Sequence, residues 1–552
     1  MLYFIPAWYQ QDDWKENEEV WYRSRTVTEF DDTVKQIQLF FRKHVTPFRI
    51  LTLGFSPNFR HFLHRQGVYH APYWSCFDAM QGITAEDMQV FSFHDLTWPE
   101  DVSFVYSPFA VIVNRGGEKY AQVEFAEDGN MFRVDLYENG QLTGRNFYDD
   151  RGFVSCQVAC ENGVPFREQY FDDQGVWKFA RYLGDGHVVV NPESSWYLLR
   201  GQSGEPSGKQ TGEPSGERKI PYQRQQYDSI DQMIAEVLRE FLKGTVASDI
   251  FTVAMDPVHS EVLADTLRGH RIILSFFDRR MREHGAEGAD RELLEAADYV
   301  VADNEETVKQ VERTAGEIKA PLAVITPYDS RVDHGISEQL HVQNILLAAD
   351  DMEDDVFDRT VVALGQYVST KNTRARVCLF TRSSVYNERH ILMDRVQKAL
   401  QKADLDPAMA AEQAGKSESD IDEVSRVPRV FSVAQCIDEM TVNRVLREQR
   451  VLVDYREDPD QFLQISAMSM GIPQVTSRET TYVADGENGR VIHHVAELTD
   501  AIDYYLGSIE NYNEAKIASY RIGSRFTTDE LVKSWEEVIR NVEHKSASAG
   551  KS

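Results

Sequence analysis

Cysteine is scarce in this chain, and its few copies form no recognisable pattern. The five residues are odd in number and scattered, so the sequence predicts no disulfide framework. Two of them stand four positions apart without a second pair, which excludes the usual spacing of a zinc site. We therefore expect small buried thiols in a reducing compartment, which indicates the cytosol. The cysteines are Cys76, Cys156, Cys160, Cys378 and Cys436.

Long hydrophobic runs are also missing. Residues 104–113 are among the longest apolar stretches, and they fall far short of the ~20 residues that a helix needs to cross a bilayer. Residues 1–9 are apolar, but they contain no basic residue and lead directly to Asp12 and Asp13, so they do not resemble a signal peptide. We expect them to contain a buried first strand.

Positive charge is in deficit. The chain has 59 Lys and Arg against 89 Asp and Glu, which gives a formal net charge of −30 at pH 7. A field of this sign repels phosphate backbones and anionic lipid headgroups, so nucleic-acid binding is disfavoured and any membrane contact is peripheral. A candidate basic patch for such contact is Arg279, Arg280 and Arg282, although a solvated helix face is the preferred interpretation.

Signatures of catalysis and of metal binding are absent as well. The sequence contains no nucleophile elbow, no phosphate-binding P-loop and no paired-cysteine site. We therefore predict no catalytic residue, no metal site and no cofactor.

What the chain does have is length and a globular composition. Its 552 residues are 42% hydrophobic and 27% charged, enough for about three domains. Helical spacing alternates with short apolar strands over residues 1–114 and 221–335, and again over 336–505, which predicts two Rossmann-like α/β domains with parallel sheets. Residues 506–552 are expected to form terminal helices and a tail. A cleft between two such domains is a usual ligand site.

Residues 115–200 follow a different pattern. Glycines recur every 11 or 12 residues in turn clusters rich in Asn and Asp, and the stretches between them alternate apolar and polar residues. Because such turns supply the positive φ that hairpins require, we predict an inserted antiparallel β-meander domain. Residues 201–220, rich in Gly, Pro and Ser, are expected to form a disordered loop. The recurring glycines are Gly129, Gly140, Gly152, Gly163, Gly175 and Gly186.

The segment from Asp458 to Ile492 carries the most informative motif. A stretch of small residues ends in Gly471, Ile472 and Pro473, and a short apolar run then leads to a turn of sequence DGENG at 485–489. This arrangement resembles the nucleotide-sugar half of retaining glycosyltransferases of the GT-B type. The resemblance implies an α/β, GT-B-like fold in which two Rossmann-like domains face a cleft, with the β-meander inserted.

The residues that carry the chemistry of such enzymes are altered. By the resemblance, the first acidic position of the donor site is Asp458, and the second, whose carboxylate accepts hydrogen bonds from ribose, is Ser466. The Arg and Lys of the phosphate clamp are replaced by Asp350, Asp351 and the acidic residues that follow, which repel a diphosphate. Lys371 lies further along the chain and is a cation that could still reach this place. We interpret Asp458, Ser466, Asp350, Asp351, Gly471 and Pro473 as remnants of a donor site.

An aromatic cluster near the first strand has two interpretations that the sequence leaves open. Its rings would stack on sugars or on an extended peptide as a substrate-binding surface, or they would form a small core that caps a helix. The cluster consists of Trp8, Tyr9, Trp14, Trp21 and Tyr22.

Three further motifs link the chain to a particular bacterial family. They are FIPAWY at 4–9, APYWSCFD at 71–78 and YDDRGF at 148–153. With these motifs the chain resembles the first accessory secretory protein of the accessory Sec system of streptococci, staphylococci and lactobacilli.

This resemblance implies a cytosolic, non-catalytic GT-B relative that acts by binding. Its partners would be the second and third accessory secretory proteins, and the complex would recognise the glycosylated serine-rich-repeat adhesin and help hand it to the export ATPase and channel. Two alternatives stay open. One is an active retaining glycosyltransferase that modifies Ser or Thr of the adhesin, which needs a cation near Asp350. The other is a purely structural subunit that docks its partners.

Overall fold

A computed structural model of the protein describes most of the chain in two folded units. The first unit comprises residues 1–24, 32–325 and 536–552, and the second comprises residues 25–31 and 326–535. The loop predicted at 201–220 lies outside the described residues. Those residues are 1–9, 13–15, 30–126, 129–192, 223–283, 291–331, 333–383, 385, 387–410 and 430–549.

Strands and helices alternate at the start of the first unit. The elements are β1 (Leu2–Ile5), α1 (Asp32–Lys43), β2 (Phe48–Thr52), α2 (Phe59–Arg65), β3 (Tyr73–Ser75) and α3 (Cys76–Gln81). β1 is buried along its whole length and pairs in parallel with β2, which confirms the prediction of a buried first strand. In α1 the apolar residues Val34, Ile37 and Phe40 recur at helical spacing and are buried.

A ten-stranded antiparallel sheet follows, with its strands in chain order. Hairpin turns join most of its strands, and all six of the recurring glycines have φ between 75° and 93°. This confirms the predicted β-meander, because residues other than glycine are disfavoured at such angles. The strands are β4 (Val102–Tyr106), β5 (Ala110–Arg115), β6 (Glu118–Phe125), β7 (Met131–Glu138), β8 (Gln141–Tyr148), β9 (Val154–Glu161), β10 (Val164–Phe171), β11 (Trp177–Tyr182), β12 (Val188–Val190) and β13 (Gln226–Tyr227).

The antiparallel sheet begins before residue 115. The sequence predicts a strand-like run of the α/β domain over residues 104–113, broken by Pro108, but these residues belong to the hairpin of β4 and β5, which pair with each other. Pro108 lies in the turn between them, where the N–H of Ser107 donates to the carbonyl of Ala110 over 3.1 Å. Proline has no N–H to offer a strand and its φ suits a turn, so it divides the apolar run into a hairpin.

The first unit then returns to its parallel sheet. The elements are α4 (Ile230–Leu242), β14 (Ile250–Ala254), α5 (Pro257–Thr266), β15 (Arg271–Phe276), α6 (Asp278–Glu283), α7 (Arg291–Ala296), β16 (Tyr299–Ala302), α8 (Glu305–Ala315) and β17 (Leu322–Val324). The seven strands lie in the order β17-β16-β15-β14-β1-β2-β3, all parallel. Such a sheet, with helices connecting its strands, is the predicted Rossmann-like arrangement.

The second unit contains a six-stranded parallel sheet in the order β20-β19-β18-β21-β22-β23. Its strands are joined mainly by helices, and two further helices follow the last strand before α15 continues into the first unit. The elements are β18 (Gln343–Ala348), α9 (Asp354–Thr370), β19 (Ala375–Thr381), α10 (Glu388–Lys402), β20 (Phe431–Gln435), α11 (Glu439–Leu446), β21 (Gln449–Asp454), α12 (Gln461–Ser469), β22 (Gln474–Thr476), β23 (Gly489–Val491), α13 (Leu498–Leu506), α14 (Ile509–Gly523) and α15 (Thr528–Ala549). Among the described residues, no helix has the length and apolarity needed to cross a membrane.

Candidate functional site

The candidate site is the carboxyl edge of the sheet in the second unit. β18 lies between β19, which follows it in the chain, and β21, so the strand order reverses at β18. In open α/β sheets, ligands bind outside the carboxyl ends of the strands at such a reversal. Each of these three strands is followed within two residues by a charged side chain: Asp350 after β18, Arg382 after β19 and Arg456 after β21.

Asp350 is held by the neighbouring strand end. One carboxylate oxygen accepts from the Thr381 hydroxyl over 2.5 Å, and the other accepts from the backbone N–H of Arg382 over 2.8 Å. Burial raises the pKa of the Asp350 carboxyl, although these two hydrogen bonds act in the opposite direction. Asp351 is exposed, with φ of 56°. Asp350 therefore places a carboxyl group, already hydrogen-bonded within the protein, at the end of the central strand.

The two arginines at this edge are paired with aspartates. Arg456 donates from Nε and Nη2 to the two carboxylate oxygens of the buried Asp454, over 2.6 and 2.7 Å. Burial alone would lower the pKa of Arg456, but Asp454 raises it above its ordinary value. Arg382 donates from Nη2 to Asp460 over 2.8 Å, and the backbone N–H of Asp460 donates to Asp454 over 2.8 Å. The pairs thus form one connected network.

Aromatic rings fix the position of the Arg382 guanidinium. Its central carbon lies 3.9 Å from the ring centre of Phe30 and 5.4 Å from that of Phe462, and these two rings contact each other. Cation–π contacts of this kind stabilise a desolvated guanidinium. Around the two arginines stand three aspartates, at positions 350, 454 and 460. An incoming diphosphate would have to displace an aspartate from an arginine.

Sequence reasoning missed Arg382 and Arg456. The signal that could have found them is their position directly after buried strands, where the resemblance placed a phosphate clamp only after β18. The sequence also left Lys371 as a cation able to reach this edge, and that expectation is wrong. Lys371 follows the far end of α9, about 25 Å from its first residue at 1.5 Å per residue. There its ammonium group pairs with Asp500 over 3.1 Å.

By the resemblance, the enzymes' two acidic residues correspond to Asp458 and Ser466, which follow Arg456 in the chain. Asp458 pairs with Arg478 over 3.0 Å, and both side chains are 39% exposed. Ser466 is buried within α12.

The glycine-proline motif and the turn after it have structural reasons of their own. Gly471 has φ of 72°, and a Cβ there would come within 2.5 Å of Lys516 Cγ in α14. The carbonyl of Pro473 accepts from the backbone N–H of Leu452 over 3.0 Å. In the turn, buried Asn488 accepts from one backbone N–H and donates to one carbonyl. These contacts stabilise the fold of the second unit and involve no ligand.

In the first unit, the described members of the aromatic cluster are buried. Trp8, Tyr9 and Trp14 lie in the core, where the indole N–H of Trp14 donates to Asp231 of α4 over 2.5 Å. The Tyr9 hydroxyl lies 3.2 Å from Nε2 of His259, also fully buried. Tyr9 and Trp14 contact each other edge to face. Trp8 packs instead against Phe59 and Phe62 of α2. Trp21 and Tyr22 lie outside the described residues.

The candidate basic patch is incomplete because its middle residue is buried. Arg280 donates from Nη1 to Asp32 over 2.8 Å, and from Nε to the carbonyl of Met255 over 2.7 Å. Arg282 pairs with Asp278 on its own helix over 2.9 Å. The expectation that Arg279, Arg280 and Arg282 form one exposed surface is therefore wrong.

Two of the family motifs meet in a buried ion-pair network in the first unit. Arg60 of α2 pairs through Nε with Asp150 and lies 3.4 Å from Asp149, and Arg151 pairs with Asp149 over 2.6 Å and with Asp78 over 2.8 Å. The network joins the β8–β9 turn of the antiparallel sheet to helices of the parallel sheet. Among the residues that the structure describes, no group of His, Cys, Asp or Glu has the arrangement of a metal site.

Comparison with known proteins agrees with this fold. A solved pneumococcal O-GlcNAc transferase superposes with a TM-score of 0.66 over 98% of this chain and 99% of its own, at 10% identity. At that identity the likeness concerns the fold alone, and it confirms the predicted GT-B-like architecture. A crystal structure of accessory secretory proteins 1, 2 and 3 from Streptococcus pneumoniae gives a TM-score of 0.78 at 26% identity, over 99% of this chain and 100% of that chain.

Sequence comparison identifies the family. A relative from Streptococcus gordonii, also an accessory Sec system protein, is 29% identical over 552 residues, which cover 98% of this chain and 99% of the relative. The family model described as Accessory Sec system protein, the first of the accessory secretory proteins, matches residues 1–202 and 213–542. The chain therefore belongs to the accessory Sec system family of accessory secretory protein 1.

Proposed function

We propose that this chain is a cytoplasmic, non-catalytic subunit of the accessory Sec export machinery. With the second and third accessory secretory proteins it binds the glycosylated serine-rich-repeat adhesin and helps deliver it to the export ATPase and channel. Membership of the family supports the assignment to this system. The crystal structure of accessory secretory proteins 1, 2 and 3 supports the choice of partners.

The observation that carries the non-catalytic role is the internal pairing of both arginines at the carboxyl edge. A retaining GT-B enzyme needs free cations to hold the diphosphate of its donor and to stabilise it as it leaves. Here Arg456 is paired with Asp454 and Arg382 with Asp460. Displacing either aspartate would leave a largely desolvated carboxylate without its cation, which opposes nucleotide-sugar binding. We infer that Asp458, Ser466, Asp350, Asp351, Gly471 and Pro473 are remnants of a donor site.

A calorimetric titration of the purified chain with UDP-glucose and UDP-N-acetylglucosamine tests this role. We expect no heat of binding and no rise in thermal midpoint at millimolar nucleotide sugar, whereas a ligand at 100 times its Kd adds about 2.7 kcal/mol of stability. Binding that is lost in Asp458→Asn would contradict the proposal and support an active glycosyltransferase. Asp101→Asn serves as the matched control, because Asp101 pairs with Arg115 at an exposed site in the first unit.

A second experiment tests adhesin binding directly. The chain, assembled with the second and third accessory secretory proteins, is titrated with a glycosylated serine-rich-repeat polypeptide and with the same polypeptide without sugar. We expect the complex to bind the glycosylated form. If neither the chain nor the complex binds either form, the chain is a docking subunit and the proposal of adhesin binding is wrong.

A further inference from the structure

β4 is an edge strand of the antiparallel sheet. Within the described part of the chain it pairs with β5 and with no other strand. The bond from Ser107 N–H to the Ala110 carbonyl fixes which residues of the hairpin face each other in hydrogen-bonded pairs. By the alternation of an antiparallel ladder, Ser103 and Val105 bond to β5, while the backbone groups of Phe104 and Tyr106 point away from the sheet. Among the residues that the structure describes, no strand pairs with these outward groups.

β4 lacks the features that usually protect an edge. Proteins prevent unwanted pairing with very short strands, charged side chains, prolines or bulges. The opposite edge of the sheet follows this rule, because β13 has two residues. β4 has five residues, its sequence VSFVY contains neither charge nor proline, and its register with β5 is uninterrupted. β4 therefore has the length and the regular backbone that a further strand would need in order to pair with it.

The edge is also uncharged in a highly charged protein. Residues 102–113 contain no Asp, Glu, Lys or Arg, whereas 27% of the whole chain is charged, so about three would be expected in a stretch of this length. Val105 is 48% exposed and Tyr106 is 64% exposed, and Phe109 in the turn is also exposed. An occupant of this edge would meet apolar and hydroxyl groups with no charge to pair.

We propose that β4 binds an extended, uncharged polypeptide segment rich in Ser or Thr as an added antiparallel or parallel strand. This inference rests on the proposed function, in which the substrate is a serine-rich polypeptide. Main-chain hydrogen bonds provide affinity in such pairing and alternate side chains provide specificity. Charge favours this occupant over a second copy of the chain, because two copies each carry a formal net charge of −30 and repel each other.

The test uses the chain assembled with the second and third accessory secretory proteins. The probe is a synthetic peptide of alternating Ser and Val, about 30 residues long, with N-acetylglucosamine on some of its serines. Val105→Lys places a charge on the edge strand, and Tyr106→Pro removes an outward N–H. We expect either change to weaken peptide binding about tenfold or more. Val164→Lys is the matched control, because Val164 is 65% exposed but lies in β10, an interior strand of the same sheet.

Hydrogen exchange on the unmodified complex provides a readout that does not depend on the variants. Bound peptide should slow exchange at the amides of Phe104 and Tyr106. Two results would contradict the edge inference while adhesin binding stands, provided that the complex binds the glycosylated serine-rich-repeat polypeptide. In the first, these amides stay unprotected when the probe peptide is added. In the second, the edge variants bind the probe peptide as well as Val164→Lys does. If the complex binds neither the polypeptide nor the probe peptide, the proposed function fails. A change from dimer to monomer in Val105→Lys would show that a second copy occupies the edge and would also overturn the inference.

Discussion

The Arg456 guanidinium donates to both carboxylate oxygens of Asp454, two residues before it, and does so at the end of a fully buried strand. The pair lies at the carboxyl edge of the sheet, beside the end of the central strand β18. Asp454 also accepts from the backbone N–H of Asp460, the residue that caps the N-terminus of α12. The same carboxylate therefore neutralises an arginine and anchors a helix. The pair therefore stabilises the edge of the sheet while it removes a cation from solvent.

Removing the charge of Asp454 should destabilise the second unit strongly. In Asp454→Asn, the buried Arg456 loses the carboxylate to which it donates two hydrogen bonds, and we expect the free energy of unfolding to fall by about 3–5 kcal/mol. Asp458→Asn is the matched control, because the Asp458–Arg478 pair is half-exposed and such pairs contribute less than about 1 kcal/mol. Urea unfolding of both variants gives the comparison. Equal losses of unfolding free energy in the two variants would show that the Asp454–Arg456 pair stabilises the protein no more than the exposed pair does.

Substitution of Gly471 should destabilise the protein more than substitution of Gly486, a glycine with the same φ. Both Gly471 and Gly486 have φ of 72°, so alanine costs about 1–2 kcal/mol at either position. At Gly471 the new Cβ would also lie 2.5 Å from Lys516 Cγ and 3.1 Å from the Tyr520 ring, whereas nothing lies within 4 Å at Gly486. We expect Gly471→Ala to be less stable than Gly486→Ala by about a further 1–3 kcal/mol. Thermal unfolding of the two variants measures the difference.

The fold was predictable where a short stretch of sequence determines the structure by itself. The antiparallel sheet follows from glycines such as Gly140 and Gly163, because each turn needs a positive φ and each stretch between turns alternates. The start of the sheet was missed because the apolar residues of β4 and β5 read as one run. The break at Pro108 is visible in the sequence, but the pairing of the two halves with each other is not.

The candidate site was predictable in part. The acidic loop at Asp350 and Asp351 was found because the resemblance places a phosphate clamp just after β18. The pairing of Arg382 with Asp460 was not predicted, because 78 residues separate them in the chain. Only the strand order β19-β18-β21 brings the two strand ends together. Burial of Tyr9 was equally hidden, because an aromatic residue after a strand suits a binding surface and a core alike.

The buried network of the family motifs should be sensitive to the loss of one arginine. In Arg60→Met, Asp149 and Asp150 lose a counterion in a buried site, so we expect a loss of about 3–5 kcal/mol in the free energy of unfolding. Arg60→Lys should not restore it, because one ammonium cannot replace a guanidinium that contacts two carboxylates and the Tyr73 hydroxyl.

The control for this network is an exposed arginine on the antiparallel sheet. Arg115 pairs with Asp101 with both side chains half-exposed, so Arg115→Met should cost less than about 1 kcal/mol. Urea unfolding followed by circular dichroism measures all three variants. If Arg60→Met and Arg115→Met unfold at the same urea concentration, the network does not hold the antiparallel sheet to its helices.

His259 should make stability depend on pH. Its ring is buried, with Nδ1–H donating to the Ala254 carbonyl over 2.8 Å and Nε2 accepting from the Tyr9 hydroxyl. Burial lowers the pKa of His259 to about 4, although Asp256 acts in the opposite direction. The unfolded chain, with a pKa of about 6.5 at this residue, binds more protons between these values. Stability from this group is therefore complete above pH 6.5 and is lost as the pH falls towards 4, by up to about 1.4 kcal/mol per pH unit.

Urea unfolding between pH 8 and pH 5 measures this dependence. We expect His259→Gln to flatten the fall in unfolding free energy below pH 6.5, since glutamine has no charge to gain in the unfolded chain. Measurement at pH 8 is the control, because His259 is neutral there in both states and the variant then reports packing and hydrogen bonding alone. Parallel curves for the two proteins, separated by a constant amount, would show that the pH dependence comes from other groups than this histidine.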